Sequence, residues 1–100
     1  MKVVWTAEAK LSFKAEADFV LEKWNSKEVL KFIDLVANVV ALLEKGLIVG
    51  LKYQDSNIIT SSVSKQTKIF YRFNANKSEL YIMLFWNNKR NPKTLAQKLK

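Results

Sequence analysis

Two hydrophobic periods divide the chain. From Ala7 to Trp24 the apolar residues Phe13, Ala17, Val20 and Trp24 recur at steps of four, three and four, which predicts an amphipathic helix. Thr6 stands ahead of it as an N-cap whose hydroxyl can accept an orphan backbone N–H, and Glu8 suits the positive end of the helix dipole. Asn25 opens a second helix, with Glu28 three residues on as in a capping box. Val29, Phe32, Val36, Val39 and Leu43 form its stripe, Leu30, Ile33, Val40 and Leu42 widen it, and Gly46 ends it at the C′ position. With almost no linker between them, the two helices, roughly Ala7 to Lys45, are predicted to fold back as a hairpin.

The second half changes to a period of two. Ile58 to Val63 is β-branched and hydroxyl-rich; Thr67 to Phe73 sets Ile69, Tyr71 and Phe73 against Lys68, Phe70 and Arg72. Leu80 to Trp86 sets Leu80, Ile82, Leu84 and Trp86 against Tyr81, Met83 and Phe85. The segments 64–66 and 74–78 are short enough for hairpin turns, which gives a three-stranded antiparallel meander. Val3 to Trp5 reads as a short first strand, and Asn91-Pro92 as the cap and first position of a short C-terminal helix. The predicted fold is a two-layer α+β domain spanning 1–100: N-terminal strand, long helical hairpin on one sheet face, meander, short terminal helix.

Composition narrows the chemistry. Nearly half the residues are hydrophobic (49%) and only two are Gly and one Pro, so long disordered stretches are not expected. Cys and His are both absent, which removes disulfides, thiolate chemistry, imidazole acid–base catalysis and the usual zinc ligands; no metal and no cofactor is expected. No apolar run reaches the roughly 18 to 20 residues that span a bilayer, and the N-terminus meets charge too early for a signal peptide. No membrane association is expected, and the cytoplasm is the expected location.

Charge is distributed unevenly. Residues 1–50 hold seven Lys and seven Asp/Glu, whereas residues 51–100 hold ten Lys/Arg and two Asp/Glu, so the whole net charge of +8 lies in the second half. That asymmetry points to an anionic partner. Helix acids Glu8, Glu16, Asp18, Glu22 and Asp34 interleave with lysines and read as a solvated face. Lys68 and Arg72 share one strand parity and project to one sheet face, outward if Ile69, Tyr71 and Phe73 meet the helices. After the last strand comes a basic segment free of acids. Trp86, Asn87, Lys89, Arg90, Asn91 and Lys93, assisted by Arg72, form the candidate target-binding platform on a rigid base. Arg90 leads the set, because a guanidinium fork grips a carboxylate or phosphate in two places; Trp86 shares parity with Leu84 and Ile82, which also fits a core position.

The opening KVVWTAEA, the strand IFYRF and the closing LFWNNKRNPKTL, in that order within about 100 residues, resemble the RelE/ParE superfamily of type II toxin–antitoxin toxins. The resemblance covers nearly the whole chain. It implies a microbial-ribonuclease-like sheet with a helical hairpin, and a bacterial growth inhibitor, of the plasmid-stabilisation kind, held inactive by an antitoxin.

Two branches of that family differ in chemistry. RelE-like members cut messenger RNA on the ribosome with clustered Lys and Arg, often beside a terminal-helix Tyr or His. Lys68 and Arg90 fall where two of those cations stand, but the preceding strand offers Ile59 and Ser61 where paired lysines are expected, and the terminal helix has neither Tyr nor His. ParE-like members lack the nuclease set, have a longer hairpin and inhibit DNA gyrase by binding. The long hairpin and depleted cluster match the ParE-like branch better. The expected partners are therefore an acidic antitoxin and gyrase, with the ribosome and mRNA as the alternative for an enzyme, and a non-toxic nucleic-acid-binding module as a third reading.

Overall fold

Thr6 ends the first strand and starts the first helix with one side chain. Its Oγ1 accepts the Ala9 N–H at 3.1 Å and donates to the Ile82 carbonyl at 2.7 Å, tying the helix start to the sheet. The computed structural model describes residues 1–47 and 50–99, and of residue 75 the backbone alone. The elements are β1 (Lys2–Trp5), α1 (Ala7–Lys23), α2 (Ser26–Glu44), β2 (Leu51–Lys52), β3 (Ile58–Ser62), β4 (Thr67–Asn74), β5 (Glu79–Asn87) and α3 (Pro92–Lys98). Asn25 caps α2, accepting the Glu28 N–H at 3.0 Å. At its other end Gly46 takes φ +78°, and the bonds Gly46 N–H to Leu43 O and Leu47 N–H to Leu42 O form a Schellman closure.

The sheet has five strands in the order β1-β5-β4-β3-β2. The predicted meander is its centre, and β1 joins it parallel to β5, as a strand that leads straight into a crossover helix pair must. The two-residue β2 beside β3 was not predicted; Leu51 and Lys52 are too short a run to show a period. Its approach depends on Gly50, where an added Cβ would lie 2.5 Å from Ser61 Oγ and from the Thr60 carbonyl.

The hairpin covers one sheet face. Ala9, Phe32, Val36 and Leu43 pack there against Ile69, Tyr71, Leu80, Ile82 and Phe85. Trp5, Phe13, Phe32 and Phe85 form a chain of ring contacts with centroids 5.3–5.6 Å apart, in edge, tilted and stacked arrangements. A second cluster on the opposite face joins Ile58, Phe70, Leu84 and Trp86 to Leu95 and Leu99, so α3 covers part of the sheet's outer side.

Several predicted positions move. The inward face of α1 is Ala9, Ser12, Glu16 and Val20, while Phe13 and Ala17 are half-buried at its side and Trp24 is exposed. Glu16, expected on a solvated face, is buried and accepts the Thr67 hydroxyl at 2.5 Å. Ser12 accepts the Phe85 N–H at 2.9 Å, so α1 satisfies the edge of β5 beyond the point where β1 stops. In α2 the predicted widening residues Leu30, Ile33 and Leu42 are exposed and Val40 is half-buried. Phe73, of inward parity, is also exposed, although its ladder partner Leu80 is fully buried.

The largest departure is in β5. Phe70 pairs with Leu84 but Tyr71 pairs with Ile82, leaving Met83 as a bulge. Side chains after it change sides: Phe85 joins the hairpin core, while Leu84 and Trp86 turn outward. Strict alternation had grouped Leu84 and Trp86 with Leu80 and Ile82.

Candidate functional site on the outer sheet face

Strand β4 supplies the site's base. Ile69 and Tyr71 are buried beneath the hairpin, so Lys68, Phe70 and Arg72 face the other way, as their parity predicts. Across the ladder Lys68 pairs with Trp86, Phe70 with Leu84 and Arg72 with Tyr81. Directly opposed residues share a face, so the two cations stand at opposite ends of one surface, four residues or about 13 Å apart along the strand.

Arg90 reaches this surface from the loop after β5. Its guanidinium carbon lies 4.2 Å from the centroid of the Trp86 indole, and Arg72 lies 5.8 Å from the Tyr81 ring. The loop is built to hold Arg90 there. Asn87 Oδ1 accepts the Lys89 N–H at 2.9 Å, the Asn87 carbonyl accepts the Arg90 N–H at 3.0 Å, and Asn88 N–H donates to the Gln66 carbonyl at 2.8 Å. Asn91 then caps α3 by accepting the Lys93 N–H at 2.9 Å, and Pro92 takes the first helical position.

The platform residues therefore divide into two groups. Arg72, Lys89, Arg90 and Lys93 are exposed cations, and Lys68 is half-exposed; none of the five has an ion-pair partner among the described residues. Trp86 and Asn87, proposed from sequence as contacts, are 3% and 4% exposed, so neither offers a free surface. Trp86 is the apolar support under Arg90, and Asn87 faces the hairpin side opposite Thr67. Asn91 is exposed, but its side chain is committed to the helix cap.

Of the pair implied for a nuclease, Lys68 is the ladder partner of Trp86 and Arg90 stacks on the Trp86 ring, so both belong to the outer face. The places proposed for paired lysines do not. Ile59 packs against the hairpin core and Ser61 bonds Tyr71 at 2.8 Å on that same side, while the outward residues of β3 are Ile58, Thr60 and Ser62. Two phenols belong to this face: Tyr53 packs edge-on against Phe70 with ring centroids 5.5 Å apart, and Tyr81 donates to Glu79 at 3.1 Å at the far end from Lys68. Among the described residues no cluster of three or more His, Cys, Asp or Glu could hold a metal ion.

Sequence reasoning missed Ser12, Glu16 and Thr67. The signal was present: Ala9, Ser12, Glu16 and Val20 step by three, four and four, as regular a face as the apolar one chosen. Among the described residues no helix is long and apolar enough to cross a membrane.

No family model and no curated protein matches the sequence. Solved structures do match the fold. A chain of the chromosomal ParDE toxin–antitoxin system of P. aeruginosa superposes with a TM-score of 0.73 at 17% identity, covering 87% of this chain and 95% of that one. YafQ from E. coli superposes at 0.60 with 7% identity, covering 87% and 92%. A chain of the toxin–antitoxin complex RelBE2 from Mycobacterium tuberculosis does so at 0.53 with 9% identity, covering 87% and 96%. The fold is that of the RelE/ParE toxins, as the order of motifs along the chain led one to expect.

Proposed function

We propose that this chain is the toxin of a type II toxin–antitoxin pair that acts by binding an essential target, with DNA gyrase as that target and an acidic antitoxin as its neutraliser. The carrying observation is the character of the outer face on this fold. It gathers unpaired cations at Lys68, Arg72, Arg90 and Lys93, yet neither Lys68 nor Arg90 touches a carboxylate, phenol or imidazole among the described residues. Such a surface grips an anionic group, but no described residue bonded to Lys68 or Arg90 is placed to move a proton, a step that contributes about a hundred- to ten-thousand-fold in phosphodiester cleavage. The ParDE and RelBE2 neighbours come from toxin–antitoxin systems, and a net charge of +8 suits an acidic partner.

The test is induction of the chain without a partner, followed by two assays on purified protein. Growth arrest with inhibition of gyrase supercoiling, and intact RNA with and without ribosomes, is the expected result. Ribosome-dependent mRNA cleavage that Arg90→Ala abolishes would replace the binder by the nuclease reading.

A further inference from the structure

Helix α2 carries a second ordered row of residues, away from the sheet. Lys27, Leu30, Ile33, Ala37, Ala41 and Glu44 follow one another at steps of three or four, so they line one strip of its surface, about 26 Å long. All six are exposed, Leu30 by 64% and Ile33 by 40%, and none belongs to the core beneath the hairpin. Leu21 of α1, near the bend that joins the helices, is 52% exposed as well. The row has a direction. Its first half is cationic and bulky, its second half small and anionic. Both charges oppose the helix dipole: Lys27 stands in the first turn, where anions are favoured, and Glu44 is the last helical residue, where cations are. Neither has an ion-pair partner among the described residues. The Met1 ammonium donates to the Glu44 backbone carbonyl at 3.0 Å and leaves the carboxylate unpaired.

A second copy of the same row, running antiparallel, answers each of these features. With a two-fold axis between Ile33 and Ala37, Lys27 stands opposite Glu44 of the second copy, Leu30 opposite its Ala41 and Ile33 opposite its Ala37. Each branched side chain then meets a methyl group, which lets the helices approach closely, and each end brings a cation to an acid. A parallel pairing would instead set Leu30 on Leu30, Lys27 on Lys27 and Glu44 on Glu44. We propose that this row is a contact between two copies of the chain, an antiparallel pair of α2 helices about a two-fold axis. The charge of the whole chain favours this face. Residues 1–50 balance seven Lys with seven Asp/Glu, whereas the half of the chain that bears the net charge of +8 supplies the outer sheet face, so joining two hairpins keeps the two cationic faces apart. One helix row per copy makes a narrow contact, and the association is reversible. The inference stands apart from the toxin reading, since it needs neither target nor antitoxin and leaves the outer face free.

The experiment is sedimentation equilibrium of the full chain from micromolar to millimolar concentration at low salt, with helix content followed by circular dichroism. A monomer–dimer equilibrium is expected. Ala37→Glu sets a carboxylate against Ile33 of the second copy and should weaken the dimer about tenfold or more, while the exposed position leaves the monomer folded. Lys27→Glu and Glu44→Lys should each weaken it about threefold to tenfold, because two symmetric ion pairs are lost at once, and the double variant should restore it. Both single changes suit the helix dipole better than the parent residues do, so a weaker dimer with helix content kept cannot come from a damaged helix. A chain that stays monomeric to millimolar concentration would overturn the proposal and leave the row to a different protein. A dimer that Ala37→Glu leaves intact would place the contact on another face, and a double variant weaker than either single one would overturn the antiparallel pairing.

Discussion

The Arg90 guanidinium lies over the face of the Trp86 indole, 4.2 Å from its centroid, and this contact turns a buried aromatic into a mount for an exposed cation. Arg90 has no carboxylate partner among the described residues, so its charge remains available to a target. Lysine keeps the charge but not the planar stacking or the fork. Arg90→Ala should lose growth arrest on the proposed reading, and Arg90→Lys should retain only part of it. Both should lose no more than about 1 kcal/mol of stability, the scale of an exposed cation–π contact. Trp86→Ala should cost about 3–5 kcal/mol, as for a large buried aromatic. Urea unfolding of the three variants beside an induction assay separates contact from support; unaltered arrest by Arg90→Ala would move the site elsewhere.

Helix α1 is attached to β5 by a polar contact where the strand β1 has already ended. Ser12 Oγ accepts the buried Phe85 N–H and itself donates to the Ala9 carbonyl at 3.1 Å. Ser12→Ala removes the acceptor and leaves Phe85 N–H enclosed, which should cost about 1–3 kcal/mol. Lys14→Ala on the same helix breaks only an exposed pair with Asp18 and should stay within about 0.5 kcal/mol. Equal denaturation midpoints for the two variants would show that water reaches Phe85 N–H in place of the hydroxyl.

The same contacts mark where the sequence was legible. Helix caps at Thr6, Asn25 and Asn91 and the Gly46 stop depend on local chemistry and stand where their residues indicate. The outward direction of Lys68 and Arg72 follows from period, and the order of the elements other than β2 from period together with capping residues. The bulge at Met83 could not be read, since no glycine or proline marks it, and one inserted residue reverses every side chain after it. That reversal separated Trp86 from the hairpin core and placed Asn87 within it. Burial of Glu16 was hidden for a related reason: its partner Thr67 is 51 residues away, and a carboxylate's default reading is solvent.

Tyr71 gives the fold a dependence on alkaline pH. Burial raises its pKa above the usual 10.0, partly offset by the hydrogen bond with Ser61. In the unfolded chain the phenol ionises near its ordinary value, so above that pH the unfolded state binds fewer protons than the native one. Stability is then complete below about pH 10 and falls as pH rises through the unfolded value toward the native one. Chemical denaturation between pH 9 and 11 should show this decline, and Tyr71→Phe should flatten it relative to the parent. Every other ionisable group is common to both proteins, so the difference between them isolates the phenol; parallel curves would contradict the assignment.

On the proposed reading, the antitoxin has a specific place to dock. Leu42, Leu47 and Leu51 are 46%, 54% and 77% exposed around a groove between the end of α2 and strand β3, with Lys68 also lining it. An amphipathic segment with acidic flanks would bury these leucines and meet the cations of the second half, where the whole net charge of +8 resides. Association should therefore slow as salt rises from low to physiological ionic strength, where the screening length shortens to about 8 Å. Leu42→Glu should raise the dissociation rate by tenfold or more without unfolding the chain, because Leu42 is already half in solvent. Stopped-flow association across a salt series tests the first statement and surface-based dissociation kinetics the second. Rates independent of salt would remove the electrostatic part, and a Leu42→Glu complex as long-lived as the parent's would place the antitoxin on another surface.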